Sequence, residues 1–104
     1  MSVRPTEEDF RRHEGTKFRV RVESQRPFEL ELVKVQGYNP EATEQNNMER
    51  YSLFFNGPAD MFLPQGVYPF EHPEMGELQL FTVPVGQDER GFQYEVVFNY
   101  FKNK

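Results

Sequence analysis

Phe92, Tyr94, Val96, Phe98 and Tyr100 share one parity of the chain, while Gln93, Glu95 and Asn99 fall on the other. A period of two is the spacing at which side chains of an extended strand return to the same face, so this segment reads as a strand with one buried side and one wetter side. The same period recurs upstream. Phe18, Val20 and Val22 alternate with Arg19 and Arg21, and Phe28, Leu30 and Leu32 alternate with Glu29 and Glu31. Ser24-Gln25-Arg26-Pro27 between those runs has turn chemistry, which predicts a hairpin with an arginine face opposite a glutamate face.

Three further runs complete the set. Tyr51 to Asn56 is aromatic and apolar, which fits a central strand ended by Gly57-Pro58. Leu63-Pro64-Gln65-Gly66 suits a type I turn into a strand from about 66 to 71, and Pro69 inside it places that strand at an edge or a bulge because proline cannot donate to a ladder. The third run covers about 77 to 85 and continues through Gly86 to Gly91 into the last strand, so the final three strands predict an antiparallel meander. The apolar phase slips twice. At Leu32-Val33 it passes to Val33 and Val35, and after Leu80 it passes to Phe81, Val83 and Val85; either slip can mark a bulge.

The N-terminal part differs. Thr6 can cap a backbone amide, Glu7, Glu8 and Asp9 complement the positive end of a helix dipole, and Gly15 can end the helix in a left-handed conformation. A short helix over about 6–14, anchored by Phe10, is expected. The strands are expected over about 17–23, 27–36, 50–56, 66–71, 77–85 and 91–101. These elements predict a mainly β fold: a small six-stranded antiparallel barrel or a curved two-layer sandwich, closed at one end by the helix, with residues 1–104 forming a single domain. Eleven Phe and five Tyr supply large apolar surfaces for its core. Gln36 to Arg50 is polar and is expected to be a long mobile loop.

Composition excludes several kinds of chemistry. There is no cysteine, hence no disulfide, no thiolate nucleophile and no Cys-type metal centre, which suits a reducing compartment. The acidic start, Glu7-Glu8-Asp9, stands where a signal peptide would be apolar, and no membrane span is visible, so the expectation is a cytoplasmic protein that is not membrane-bound. A net charge of −5 opposes nucleic-acid binding, and the basic residues near the N-terminus are flanked by acids.

The polar residues offer few arrangements that catalysis or metal binding could use. The two histidines are His13, in the expected helix, and His72, in a proline-bounded turn with Glu71 and Glu74 nearby. Glu71 and His72 are adjacent and should point to opposite faces, so a metal site there is poorly formed, and a turn histidine bonded to backbone is the simpler reading. Ser52 could be combined with His72 and Asp60 or Asp88 into a triad on paper, but it lies mid-strand without the Gly-flanked elbow that exposes a nucleophile. The glycine-containing turns do not open helices, which removes phosphate cradles. No catalytic residue, metal ligand or cofactor is expected.

One segment breaks the pattern of polar connections. Ala59-Asp60-Met61-Phe62-Leu63 places large apolar side chains between two turn signals. Such residues either tuck under the domain or present a surface to a partner. Met61, Phe62 and Leu63, together with Tyr68 and His72, are therefore the candidate partner- or ligand-binding residues.

Tyr51-Ser52-Leu53-Phe54-Phe55-Asn56-Gly57-Pro58, Leu63-Pro64-Gln65-Gly66-Val67-Tyr68, Glu71-His72-Pro73, Leu80-Phe81, Val83-Pro84-Val85-Gly86 and Tyr94-Glu95-Val96-Val97-Phe98-Asn99 together resemble the signature of a family of small uncharacterised bacterial proteins. The resemblance extends over nearly all of the chain once Phe10, Gly15 and Phe18 are included. Met75 and Val96 stand where Leu and Ala are commoner in that family. Genes of the family are often found near those of phage tail-collar-like proteins, so the resemblance implies an accessory role in assembling or binding tail- or fibre-like proteins, and it carries over no catalytic residue. The leading expectation is a non-catalytic interaction or assembly domain with a protein partner, a second copy of the chain included. The alternatives are a small-ligand-binding barrel with Tyr51, Tyr68 and Tyr94 at its mouth, and a hydrolase or metal enzyme using His72 with Glu71 or Glu74.

Overall fold

The computed structural model describes residues 7–22, 28–37 and 48–101. The expected Thr6 cap, the turn at 24–27 and most of the 36–50 loop lie outside them. Within them the chain forms α1 (Glu7–Arg11), β1 (Lys17–Val20), β2 (Phe28–Gly37), β3 (Met48–Pro58), β4 (Gly66–His72), β5 (Gly76–Asp88) and β6 (Gly91–Phe101). All neighbouring strands run antiparallel, and the order β1-β2-β3-β6-β5-β4 closes into a barrel.

Closure follows from two meanders of three strands each. β1-β2-β3 and β4-β5-β6 are joined by the long β3–β6 ladder and, at the other seam, by only two residue pairs, Arg19 with Glu71 and Val20 with Phe70. Alternation then sends one parity inward. Phe18, Val20, Leu30, Leu32, Tyr51, Leu53, Phe55, Phe70, Tyr94 and Val96 fill the interior, and none exceeds 2% exposure. Burying each large apolar side chain contributes about 1.5–3 kcal/mol, so this packed interior is the main source of stability.

α1 is shorter than its acidic start promised. Five residues cannot hold a helix alone, and it is fixed by tertiary contact instead. Phe10 is fully buried and its ring lies 5.5 Å from Phe98, 6.0 Å from Tyr51 and 6.4 Å from Phe18. Its own surface is laced by Arg11 with Glu7 and Arg12 with Asp9 and Glu8. Gly15, at a φ of 86°, then redirects the chain, and its amide donates to the Leu32 carbonyl.

The strands depart from the sequence pattern in three places. The first slip is a bulge between Leu32 and Lys34, but Leu32 and Val35 face inward while Val33 is the extruded, exposed residue. The second slip does not occur where the apolar phase changes. Leu80 and Thr82 stay inside, Phe81 and Val85 face solvent, and the ladder shifts only between Pro84 and Gly86. Finally, β4 is no edge strand. Pro69 accepts a hydrogen bond from the Arg21 amide through its carbonyl. A residue's N–H and C=O point to the same side of a strand, so the donor that proline lacks falls at the β1 seam, just where β1 has ended.

Candidate functional site

In the ring of strands β3 and β4 lie opposite each other, so the connection over 59–65 has to cross the barrel mouth. This explains its apolar composition. Leu63 is fully buried as a stopper, and its amide donates to the Tyr94 hydroxyl (3.0 Å). Met61 packs half-buried on the core, and Phe62 lies edge-on to Phe92 at 5.1 Å with 47% of its surface exposed. Phe10 stoppers the opposite mouth. With Tyr51 and Tyr94 both fully buried, the interior is filled by side chains, and of the three expected mouth tyrosines Tyr68 alone reaches the surface. The Tyr68 hydroxyl donates to the Pro64 carbonyl (2.6 Å).

The two histidines, far apart in sequence, meet beside the Phe10 mouth with ring centroids 4.7 Å apart. His72 is buried. Its Nδ1 accepts the amides of Glu74 (3.0 Å) and Met75 (3.3 Å), so its proton sits on Nε2, which faces the Thr16 hydroxyl at 3.1 Å. The Thr16 hydroxyl in turn donates to the His13 carbonyl (2.6 Å). His13 has an acceptor at each nitrogen: the Asp9 carbonyl at Nδ1 and the Glu74 carboxylate at Nε2, both 2.8 Å away. It is therefore built to be an imidazolium. The hydrogen bond to Asp9 and then Glu74 hold its pKa above the ordinary histidine value, against an opposing effect of burial. Burial first, and the nearby His13 second, push His72 below that value.

This arrangement does not make a nucleophile and base. The lone pair of His72 is covered by two amides, and the Thr16 proton is committed to a carbonyl. Glu71 points to the outer face and pairs with Arg21, away from His72. Among the described residues no group of three or more His, Asp or Glu could hold a metal ion. Ser52 is only 1% exposed, and Asp88 holds the β5–β6 turn by accepting the amides of Arg90 (2.8 Å) and Gly91 (3.2 Å). Those amides, Arg90's foremost, keep the Asp88 carboxyl below the usual range.

The outer surface is more distinctive. Val67 and Phe81 are directly opposed across β4 and β5, and they are 61% and 48% exposed. Val83 pairs with Glu95, and two residues beyond that pair on each strand stand Phe81 and Val97, the latter 54% exposed. Beside Val67, Arg21, Val22, Tyr68 and Pro69 line an open groove of about 490 Å³. β4, β5 and β6 contain no Lys or Arg, whereas Glu71, Glu77, Asp88 and Glu95 recur along them. The face is thus apolar at its centre and acidic around it. Of the residues singled out in the sequence, Leu63 and His72 are buried in the scaffold, and Met61, Phe62 and Tyr68 keep part of their surface. Sequence reasoning missed Val67, Phe81 and Val97, because alternation had assigned Phe81 to the core.

The molecule is thus a barrel stoppered at both ends, with an apolar flank that carries carboxylates. Residues 5–98 match the model of DUF6916, a domain of unknown function, and the chain belongs to that family. Comparisons with the curated proteins and with the solved structures return no match. No helix among the described residues is long and apolar enough to cross a membrane.

Proposed function

We propose that this chain is a non-catalytic interaction domain that docks a partner protein on the outer face of β4, β5 and β6. The observation that carries the reading is the cross-strand pair Val67 and Phe81, two apolar side chains held side by side in solvent on the outside of a closed barrel. Contiguous exposed apolar surface of this kind is characteristic of binding faces. The carboxylates along these strands and the absence of Lys and Arg from them favour a partner with an apolar contact surface rimmed by basic residues, reaching the face from the side away from Arg21, which is paired with Glu71 at the β1 edge. The groove beside Val67 offers a place for one projecting side chain of that partner. The family resemblance adds tail- or fibre-like assembly proteins as the class in which to look.

The test is a binding comparison with purified components. Candidate partners encoded nearby are titrated with the native chain and with Val67→Thr/Phe81→Thr, substitutions that keep strand propensity on the solvent side and leave the core untouched. Loss of about tenfold or more in affinity, with an unchanged melting profile, supports the reading. Native affinity in the double variant contradicts it. Sedimentation of the isolated chain as a dimer that the same variant dissociates would assign the face to a second copy instead.

A further inference from the structure

The turn that follows α1 meets the β4–β5 turn through two imidazoles with opposite hydrogen-bonding roles. His13 bridges from the Asp9 carbonyl to Glu74 in the turn, and His72 holds the same turn from below by accepting the amides of Glu74 and Met75. The rings are 4.7 Å apart in an edge-on arrangement. A second proton has no good place to go. On Nδ1 of His72 it would replace both amide hydrogen bonds with donor–donor opposition, and it would set two positive rings against each other in a buried position.

We infer that the His13–His72 pair is an acid-operated latch, closed with one proton shared out to His13 and opened by a second proton on His72, which frees the β4–β5 turn and loosens the Phe10 stopper while the barrel stays closed. The groups that face His72 are few. α1 and the turn after it contribute His13, with Arg12 and the Asp9 carboxylate beyond it, and the Thr16 hydroxyl; β1 contributes Phe18, its ring centroid 4.6 Å away; the β4–β5 turn contributes Glu74. Glu71 and Glu77 oppose each other on the outer face, and Arg21 neutralises the former. Glu74 is the one carboxylate that could compensate the second charge, and it is already bound to His13. The barrel depends little on the latch, because neither histidine joins the β1–β4 or β3–β6 seam and His72 enters the β4–β5 ladder only at its last pair, with Gly76. Loss of the latch therefore opens one end locally, in the manner of a low-stability unit within a stable fold.

Amide hydrogen exchange on the full chain, read by NMR from pH 8 to pH 5 and corrected for intrinsic rates, tests this. Glu74 and Met75 are expected to lose protection on the acid side, by up to about tenfold per pH unit once His72 of the open form begins to titrate. Tyr94 and Val96 in the β6 ladder are expected to hold theirs. His72→Asn keeps an acceptor near the position of Nδ1 but cannot titrate, so its turn should stay protected at pH 5. His13→Gln removes the neighbouring charge, so the opening midpoint should move up toward the ordinary histidine value of 6.5. Unchanged protection at Glu74 and Met75 across the range, or the same acid-side loss in His72→Asn, overturns the inference. Should His72→Asn fail to fold, the shift in His13→Gln decides alone, and an unmoved or lowered midpoint overturns it.

Discussion

The Leu63 amide donates to the Tyr94 hydroxyl at 3.0 Å, tying the connection that crosses the barrel mouth to the middle of the last strand's inner face. Both residues are fully buried, so the bond has no competing water. Burial, the larger influence, raises the Tyr94 pKa, with the Leu63 amide opposing it, which keeps the hydroxyl neutral throughout the physiological range. Removing the hydroxyl leaves a buried amide without a partner. Tyr94→Phe should therefore destabilise by about 1–3 kcal/mol, and Leu63→Ala, which empties the stopper, by about 2–5 kcal/mol. Urea denaturation of the two variants and of the pair combined checks this. Leu63→Ala keeps the backbone amide that bonds the Tyr94 hydroxyl, so the Tyr94→Phe loss should persist in the double variant.

Gly91 begins β6 at a φ of 149°, and a Cβ placed there would stand 1.9 Å from the Gly57 carbonyl oxygen. The obstacle is backbone on the neighbouring strand, which no rotamer change relieves. Gly91→Ala should destabilise by more than the roughly 1–3 kcal/mol of ordinary overpacking. Gly15, also at positive φ but with nothing within 4 Å, supplies the comparison. Gly15→Ala should cost only the conformational penalty, about 1–2 kcal/mol. Melting temperatures of the two variants rank the effects.

Much of the barrel was readable because its inward positions follow a period of two. Phe18 and Val20, Leu30 and Leu32, and Tyr94 and Val96 are all buried as alternation requires. The break at Leu32 was readable too, since a bulge adds one residue and shifts the parity. What alternation cannot convey is that an apolar side chain sometimes faces out. Phe81 and Val85 read as core because they are apolar, and in consequence the bulge was placed too early and the outer apolar face was hidden. The apolar 59–63 segment stood out as an anomaly, but its purpose depends on β3 and β4 being opposite in the ring, a relation that no local pattern encodes. The same holds for His13 and His72, which closure of the β1–β4 seam alone brings together.

Global stability should pass through a maximum near the ordinary histidine value. His13 has a raised pKa in the folded chain, so its contribution is complete below the unfolded value of 6.5 and is lost as the pH rises through the folded one. His72 has a lowered pKa, so its contribution is complete above 6.5 and is lost as the pH falls through its folded value. The two slopes have opposite signs. Chemical denaturation at half-unit intervals between pH 5 and pH 8.5 should give this maximum in the native chain, and His72→Asn should flatten the acid side only.

Glu71 and Glu77 face each other across β4 and β5, a like-charge pair that Arg21 relieves at Glu71 alone. Glu77→Lys should stabilise the fold by about 0.2–1 kcal/mol, since it converts repulsion to attraction. The same change puts a positive charge on the proposed docking face. It should therefore weaken binding of a basic-rimmed partner while it raises the melting temperature, and thermal melts and titrations on one sample measure both.

The docking face itself is tested most directly by photo-crosslinking in cells, with benzoylphenylalanine at position 81 and, as an exposed control on β2, at position 33. The account predicts an adduct with one other protein from position 81, sensitive to salt and to Glu77→Lys, and none from position 33. No adduct from position 81, or equal adducts from both positions, would contradict it.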